Sequence, residues 1–221
     1  MGYTNEFFRG SPEDESWVQG LVNNPEVTQT YTGLGFREPL YNGGLCDPSD
    51  NGGLGYDYVI ICRDALSDLT GEQYTWDDFI GRKQADGLET TIVTVENILG
   101  TADYENPDPL FNDEPARIRE FCKDAYQDWG TEYILVAGDQ DGTNRVERRL
   151  MAYEDEPDVE SDVYFTHLDS TFNEDGDNLW GERGDGGFDL YSELYSGSLP
   201  CDEPVDNFKL DEKKLFLCRC N

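Results

Sequence analysis

Three short runs set the frame for this chain: YDYVIIC at 56–62, ETTIVTV at 89–95 and TEYILVAGD at 131–139. Each is rich in β-branched residues, and the first and third are apolar almost throughout. A strand of that kind must be covered on both faces, which is the mark of a parallel sheet between layers of helix. Helical signals fall between the runs. In TWDDFIGRKQADG, Thr75 and Asp78 have capping-box spacing and Gly87 supplies a stop. In ARIREFCKDAYQDWG, residues Ile118, Phe121, Cys122, Ala125 and Trp129 recur on one helical face, with Pro115 near the start and Gly130 at the end. Strand, helix, strand, helix, strand implies right-handed crossovers and an α/β fold with a mostly parallel sheet and flanking helices.

The rest of the chain is less regular. Residues 1–55 are rich in Gly, Asn, Pro and acidic residues and read as an irregular N-terminal extension. After Asp139 come short strand-like pieces in RRLMAYEDEPDVESDVYFTHLDS, with FTHLDS taken as a strand or strand end. An acidic Gly-rich loop follows, then FDLYSELYSGSLP as a further strand. The tail, 201–221, holds the only local excess of lysine.

Charge narrows the partners. The chain has 48 Asp and Glu against 16 Lys and Arg, a net −32 over 221 residues. Such a surface repels nucleic-acid phosphates and anionic membranes. It suits cation binding, an extracellular or cell-surface setting, or plain solubility. No run of about 18 apolar residues is present, so no membrane span is expected. The start, MGYTNEFFRGSPEDES, lacks the basic and apolar regions of a secretion signal. Six cysteines with irregular spacing and one histidine do not make a zinc site. Cys62 and Cys122 read as buried small hydrophobes. Cys46, Cys201, Cys218 and Cys220 are candidates for disulfides in an oxidising compartment.

The stretch GDGGFDLYSELYSG, 184–197, raises the question of function. As a strand it would put Asp189, Tyr191, Glu193 and Tyr195 on one face. Asp139 ends the third buried strand, at the sheet edge where α/β folds bind ligands. If the two strands are neighbours, Asp139, Asp189 and Glu193 converge. Three close carboxylates demand a neutralising cation, most naturally Ca²⁺ with its preference for oxygen. The alternative is a strand with one solvated face. NEDGDNLWGE is not an EF-hand, because Asn178 stands where Gly is required and Gly184 where the bidentate Glu is required, which leaves a calcium loop of another kind or a solvent-exposed acidic turn, the latter favoured. No nucleophile elbow, phosphate loop or dinucleotide fingerprint is present.

The ordered series YDYVIIC, GLETTIVTVENI, ARIREFCKDAYQDWGTEYILVAGD, SDVYFTHLDSTFNEDGDNLWGE and DLYSELYSGSLP resembles the N-terminal subdomain of the gingipain family of cysteine peptidases. The likeness covers about residues 56–200 and implies a caspase-like fold. It also implies a structural calcium site formed by Asp139, Asp189, Glu193, the main-chain carbonyl of Tyr191 and a carbonyl near Gly186, which favours the metal over the solvated face. The family's catalytic His and Cys belong to a second subdomain, expected beyond this chain, so no catalytic residue is assigned here. Neither His167 nor Cys201 matches a catalytic position. That missing subdomain would be the partner, and proteins or peptides the substrates of the whole enzyme. Where the family has Val-Gly-Arg before Leu/Ile-Pro, this sequence has Ser196-Gly197-Ser198, so the anchor made by that Arg is expected to be lost. The competing readings are a calcium-stabilised extracellular binding module without chemistry, and a receiver-like domain, to which Cys62-Arg63-Asp64 is a poor match.

Overall fold

The computed structural model describes residues 44–68, 75–139, 141–153, 156–182, 189 and 191–201. The three buried runs become β1 (Tyr58–Cys62), β2 (Thr90–Thr94) and β3 (Tyr133–Ala137). A fourth strand, β6 (Tyr195–Leu199), joins them in the order β2-β1-β3-β6, with every pairing parallel. This is the expected α/β class, in the caspase-like arrangement of a parallel sheet with flanking helices.

Alternation along the strands divides the core in two. Val59 and Ile61 of β1 and Ile134 and Val136 of β3 point to one face, where they meet Ile118, Phe121, Cys122 and Trp129. Tyr58, Ile60, Cys62, Leu135 and Ala137 point to the other, against Leu66 and Trp76. Both faces of β1 and β3 are thus covered, which is why those runs carry no alternating polar residues.

The helices follow their caps. After α1 (Asp64–Ser67) comes α2 (Trp76–Ala85), where Thr75 and Asp78 form the capping box read from the sequence. Gly87, at φ +89°, follows its C-terminus. A short α3 (Val95–Gly100) leads into α4 (Glu114–Asp124), whose N-cap Asp113 accepts from the Ala116 N–H at 3.1 Å. The last turn of α4 widens into a π-helical turn, Ala125–Trp129, closed by Gly130 in the left-handed region. The five apolar positions picked out by helical spacing are all buried in one cluster. Beyond β3, the hairpin of β4 (Arg149–Tyr153) and β5 (Glu156–Ser161) precedes α5 (Val163–Thr166). FTHLDS is therefore the end of a helix and the loop after it, not a strand.

Cys46, Cys62, Cys122 and Cys201 are free thiols, all buried. Cys46 lies in the core on one side of the sheet and Cys201 in the core on the other, so these two disulfide candidates cannot pair with each other. Cys218 and Cys220 lie outside the described residues, as do 1–43 of the extension and 202–221 of the tail.

Candidate metal centre

Arg119 on α4 organises the site. Its buried guanidinium donates to the carbonyls of His167 at 2.8 Å, Asp169 at 3.0 Å and Ser170 at 2.8 Å. It also lies 4.9 Å from the Tyr164 ring and 5.7 Å from the Phe172 ring.

 Only 3 % of the residue is exposed, so this cation is neutralised by oxygen dipoles and ring faces rather than by water. The loop drawn around it pays with backbone conformation, because Ser170 and Phe172 sit at φ 57° and 58°, where a bulky side chain is disfavoured. Burial of Phe172 and the three carbonyl bonds hold those turns in place.

The consequence is a row of N–H groups facing the segment before β6. The Leu168 N–H donates to Glu193 Oε2 at 2.8 Å, and the Asp169 N–H to Asp189 Oδ2 at 3.1 Å. In return the Glu193 N–H donates to the Thr166 carbonyl at 2.9 Å. Asp189 Oδ1 also accepts from the Tyr191 N–H at 3.0 Å, an Asx turn. These bonds bring Asp169, Asp189 and Glu193 together, each offering a carboxylate oxygen within 4.8 Å of the others. Burial pushes the Glu193 carboxyl up to about 8, and the neighbouring Asp189 and Asp169 push the same way against the Leu168 N–H. Burial likewise raises Asp189, opposed by the Tyr191 and Asp169 N–H groups and by Arg119. Three crowded, half-buried carboxyls form a hard-oxygen donor set that is strained when fully ionised and relieved by a cation.

Two of the residues expected from the sequence, Asp189 and Glu193, are thus together, and Asp169 is the partner that spacing missed. Its only signal was position, two residues after His167 in THLDS. Asp139 is elsewhere. Tyr195 pairs with Tyr133 and Leu199 with Ala137, so Glu193 precedes the start of the β3–β6 pair. The Asp139 N–H donates to the Cys201 carbonyl beyond its other end, at 3.1 Å. At about 3.3 Å of rise per residue, roughly 20 Å of strand separates them. The expected convergence rested on a strand running from 188, whereas β6 begins at Tyr195. Asp189 turns its own chain, and the Glu193 N–H bonds to Thr166 instead of to β3, so the D-x-Y-x-E stretch cannot extend the ladder. Tyr191 is 46 % exposed at the rim of the cluster. Gly186 lies outside the described residues.

The carboxyl ends of β1 and β3, where a ligand was expected, are closed by the loop before β4. A Cβ on Gly138 would stand 2.8 Å from both the Asn144 carbonyl oxygen and Val146 Cγ2. Arg63 holds that loop, donating to the Arg145 carbonyl at 2.7 Å and to both oxygens of Glu114 at 2.7 and 2.6 Å. At Ser196-Gly197-Ser198, where the resemblance led us to expect no arginine anchor, Ser198 is linked to Arg148 through Asp162. The Ser198 hydroxyl donates to Asp162, whose other oxygen accepts from Arg148 Nε at 2.7 Å.

A second carboxylate group, Asp175, Asp177 and Glu182, lies in the acidic loop. Asp175 and Asp177 are exposed, and their oxygens accept loop N–H groups from Asp177 and Leu179. That is an acidic turn of the solvated kind. His167 touches the Thr166 hydroxyl through Nδ1 at 3.0 Å, and burial lowers its pKa. Burial raises the thiols of Cys62 and Cys122 to about 12 and that of Cys46 further. Among the described residues, therefore, these three thiols are held in their unreactive form.

The family model described as peptidase family C25 matches residues 53–206. No curated protein and no solved structure matches the chain. No helix among the described residues is long and apolar enough to cross a membrane.

Proposed function

The chain belongs to peptidase family C25, the gingipain family, and from that premise we propose that it is the non-catalytic N-terminal part of a gingipain-like cysteine endopeptidase, stabilised by a structural calcium ion. The observation that carries the reading is the meeting of Asp169, Asp189 and Glu193 within 4.8 Å. The donor set fits the ion in kind: all ligand atoms are oxygens, and burial makes full ionisation costly without a cation. Asp169, Asp189 and Glu193 would supply the carboxylates, and main-chain carbonyls at Tyr191 and Gly186 are the further ligands that the family resemblance adds. Bound there, calcium would neutralise the cluster and cross-link the loop around Arg119 to the segment that leads into β6. The chain's own part is to hold the three carboxyls in place, through the N–H groups of Leu168, Asp169 and Tyr191.

In the whole enzyme, a Cys thiolate activated by a His would attack the peptide carbonyl. Both residues would come from a second subdomain, which is the partner of this chain, and the substrates would be proteins or peptides. The setting would be extracellular or at the cell surface, where calcium is abundant enough to fill a site of modest affinity. The purified chain is expected to leave casein and peptide substrates intact under reducing conditions. Thiol-dependent cleavage that disappears in Cys201→Ala would overturn the non-catalytic assignment.

A further inference from the structure

Residues 47–55, DPSDNGGLG, form a tight turn laid against the π-helical end of α4. Trp129 Nε1 donates to the Asp47 carbonyl and to Asp50 Oδ2, both at 3.2 Å. A Cβ on Gly55 would stand 2.2 Å from the Trp129 carbonyl oxygen. Inside the turn Asn51 lies in the left-handed region at φ 52° and ψ 34°, followed by Gly52 at φ 71° and ψ 22°. Glycine and asparagine take this conformation at least cost. The Asn51 side-chain amide donates to the Gly55 carbonyl at 3.1 Å and to Glu89 Oε2 at 3.3 Å, which ties the turn to the residue before β2.

The same pair of residues is chemically labile. Asparagine is a thermolabile residue, because its amide carbon can be reached by the next main-chain nitrogen with closure of a five-membered ring. Gly52 has no side chain to hinder that approach, and a Cβ there would meet nothing within 4 Å. The other described asparagines precede larger residues or, at Asn106, a proline without an N–H. Asn51 and Gly52 are both exposed, so water and hydroxide reach them. The closed turn opposes the ring. At ψ 34° the Gly52 nitrogen lies across the Cα–C bond from Cβ, whereas the ring needs the two on one side.

We propose that Asn51 is a site of spontaneous deamidation guarded by its turn, and that the conversion, once made, stops the turn from closing again. When the turn opens, the Gly52 nitrogen gives up its proton and attacks Asn51 Cγ. The new C–N bond expels Nδ2, which leaves with a proton as ammonia. Water then adds to one carbonyl of the succinimide and breaks one of its two C–N bonds. The product is aspartate, or isoaspartate with the chain rerouted through the side chain. Both exchange the amide donor for a carboxylate, which the Gly55 carbonyl and the Glu89 carboxylate repel. The turn stands where the residues before 53 join the region matched by the family model, so the change falls on that join.

The test is ageing of the whole chain at neutral pH, with aspartate and isoaspartate at 51 read by peptide mass spectrometry and fragmentation that locates the site. The wild type should convert in buffer, and faster in urea, where the turn is gone. Trp129→Phe keeps a ring in the core and removes both indole bonds. Conversion in buffer should then speed up by about fivefold, with the rate in urea unchanged. No conversion at 51 in buffer would overturn the site. Equal rates in buffer and urea would overturn the guarding turn. If Trp129→Phe fails to fold by circular dichroism, the wild-type comparison of buffer with urea still decides. Asn51→Asp, which carries one of the products, should hasten amide hydrogen exchange in residues 47–55, and Glu89→Gln added to it should restore part of the protection. Exchange in Asn51→Asp as slow as in the wild type would contradict the claim that the converted turn cannot close.

Discussion

Arg119→Met is expected to cost about 3–5 kcal/mol of stability, a large part of what a domain of this size has. The methionine can fill the space of the stem but cannot donate. Three carbonyls, of His167, Asp169 and Ser170, lose their partner together, and each unsatisfied buried acceptor costs about 1–3 kcal/mol before water relieves it. The left-handed turns at Ser170 and Phe172 lose the cation that holds them, and the rings of Tyr164 and Phe172 lose its charge. At about 2–4 °C per kcal/mol, the melting temperature should fall by roughly 10 °C. Arg119→Lys should recover only part of this, since a single ammonium cannot reproduce the fork. A fall of no more than a degree or two in Arg119→Met would mean that the loop is held by apolar packing alone.

Asp113→Ala is expected to rank second, at about 3 kcal/mol. Asp113 has two duties. It caps α4 through the Ala116 N–H, and removal of such a cap costs about 1 kcal/mol. It also grips Arg149 with both oxygens, at 2.7 and 2.6 Å. The Arg149 side chain is 6 % exposed and Asp113 is 43 % exposed, so the stranded cation can be only partly rehydrated. The Trp180 ring, 4.0 Å from the guanidinium, and the Tyr164 ring, 4.8 Å away, remain as its other supports. The ion-pair share is therefore set near about 2 kcal/mol, below the figure for a fully buried pair. Asp113→Asn keeps a capping oxygen and drops the charge, so its urea midpoint should lie between the wild type and Asp113→Ala. Coincidence of Asp113→Asn with the wild type would remove the ion pair from the explanation.

The sheet was legible in the sequence because β1 and β3 are buried on both faces, and residues in that setting have no polar alternation to confuse them with surface strands. The capping box at Thr75 and the stop at Gly130 were legible for a similar reason: each is a local arrangement within a few residues. The last strand was not. The alternation in FDLYSELY is what an exposed strand would show, but the Asx turn at Asp189 and the bonds from Glu193 and Leu194 to Thr166 divert the chain until Tyr195. Those partners lie some 20 or more residues away in sequence, and alternation carries no information about them. For the same reason Asp169 was missed. Its carboxylate reaches the site because Arg119 coils the loop around itself, and nothing in THLDS shows that Arg119 is near. Asp139 had the opposite fate. Its position at a strand end was read correctly, but the sequence did not show that Val146 and Arg63 close that end, or that Glu193 lies at the other.

The calcium clamp is tested most directly by thermal unfolding of the whole chain with calcium and with EDTA, for the wild type and for Glu193→Gln. An extracellular calcium site binds at about 0.1–1 mM. At about 10 mM calcium such a site adds roughly 1.4–2.7 kcal/mol, or about 3–10 °C in melting temperature. The wild type should show that rise, and Glu193→Gln should show little of it. No rise in the wild type, or the same rise in both proteins, would mean that Asp169, Asp189 and Glu193 hold the loops through hydrogen bonds alone.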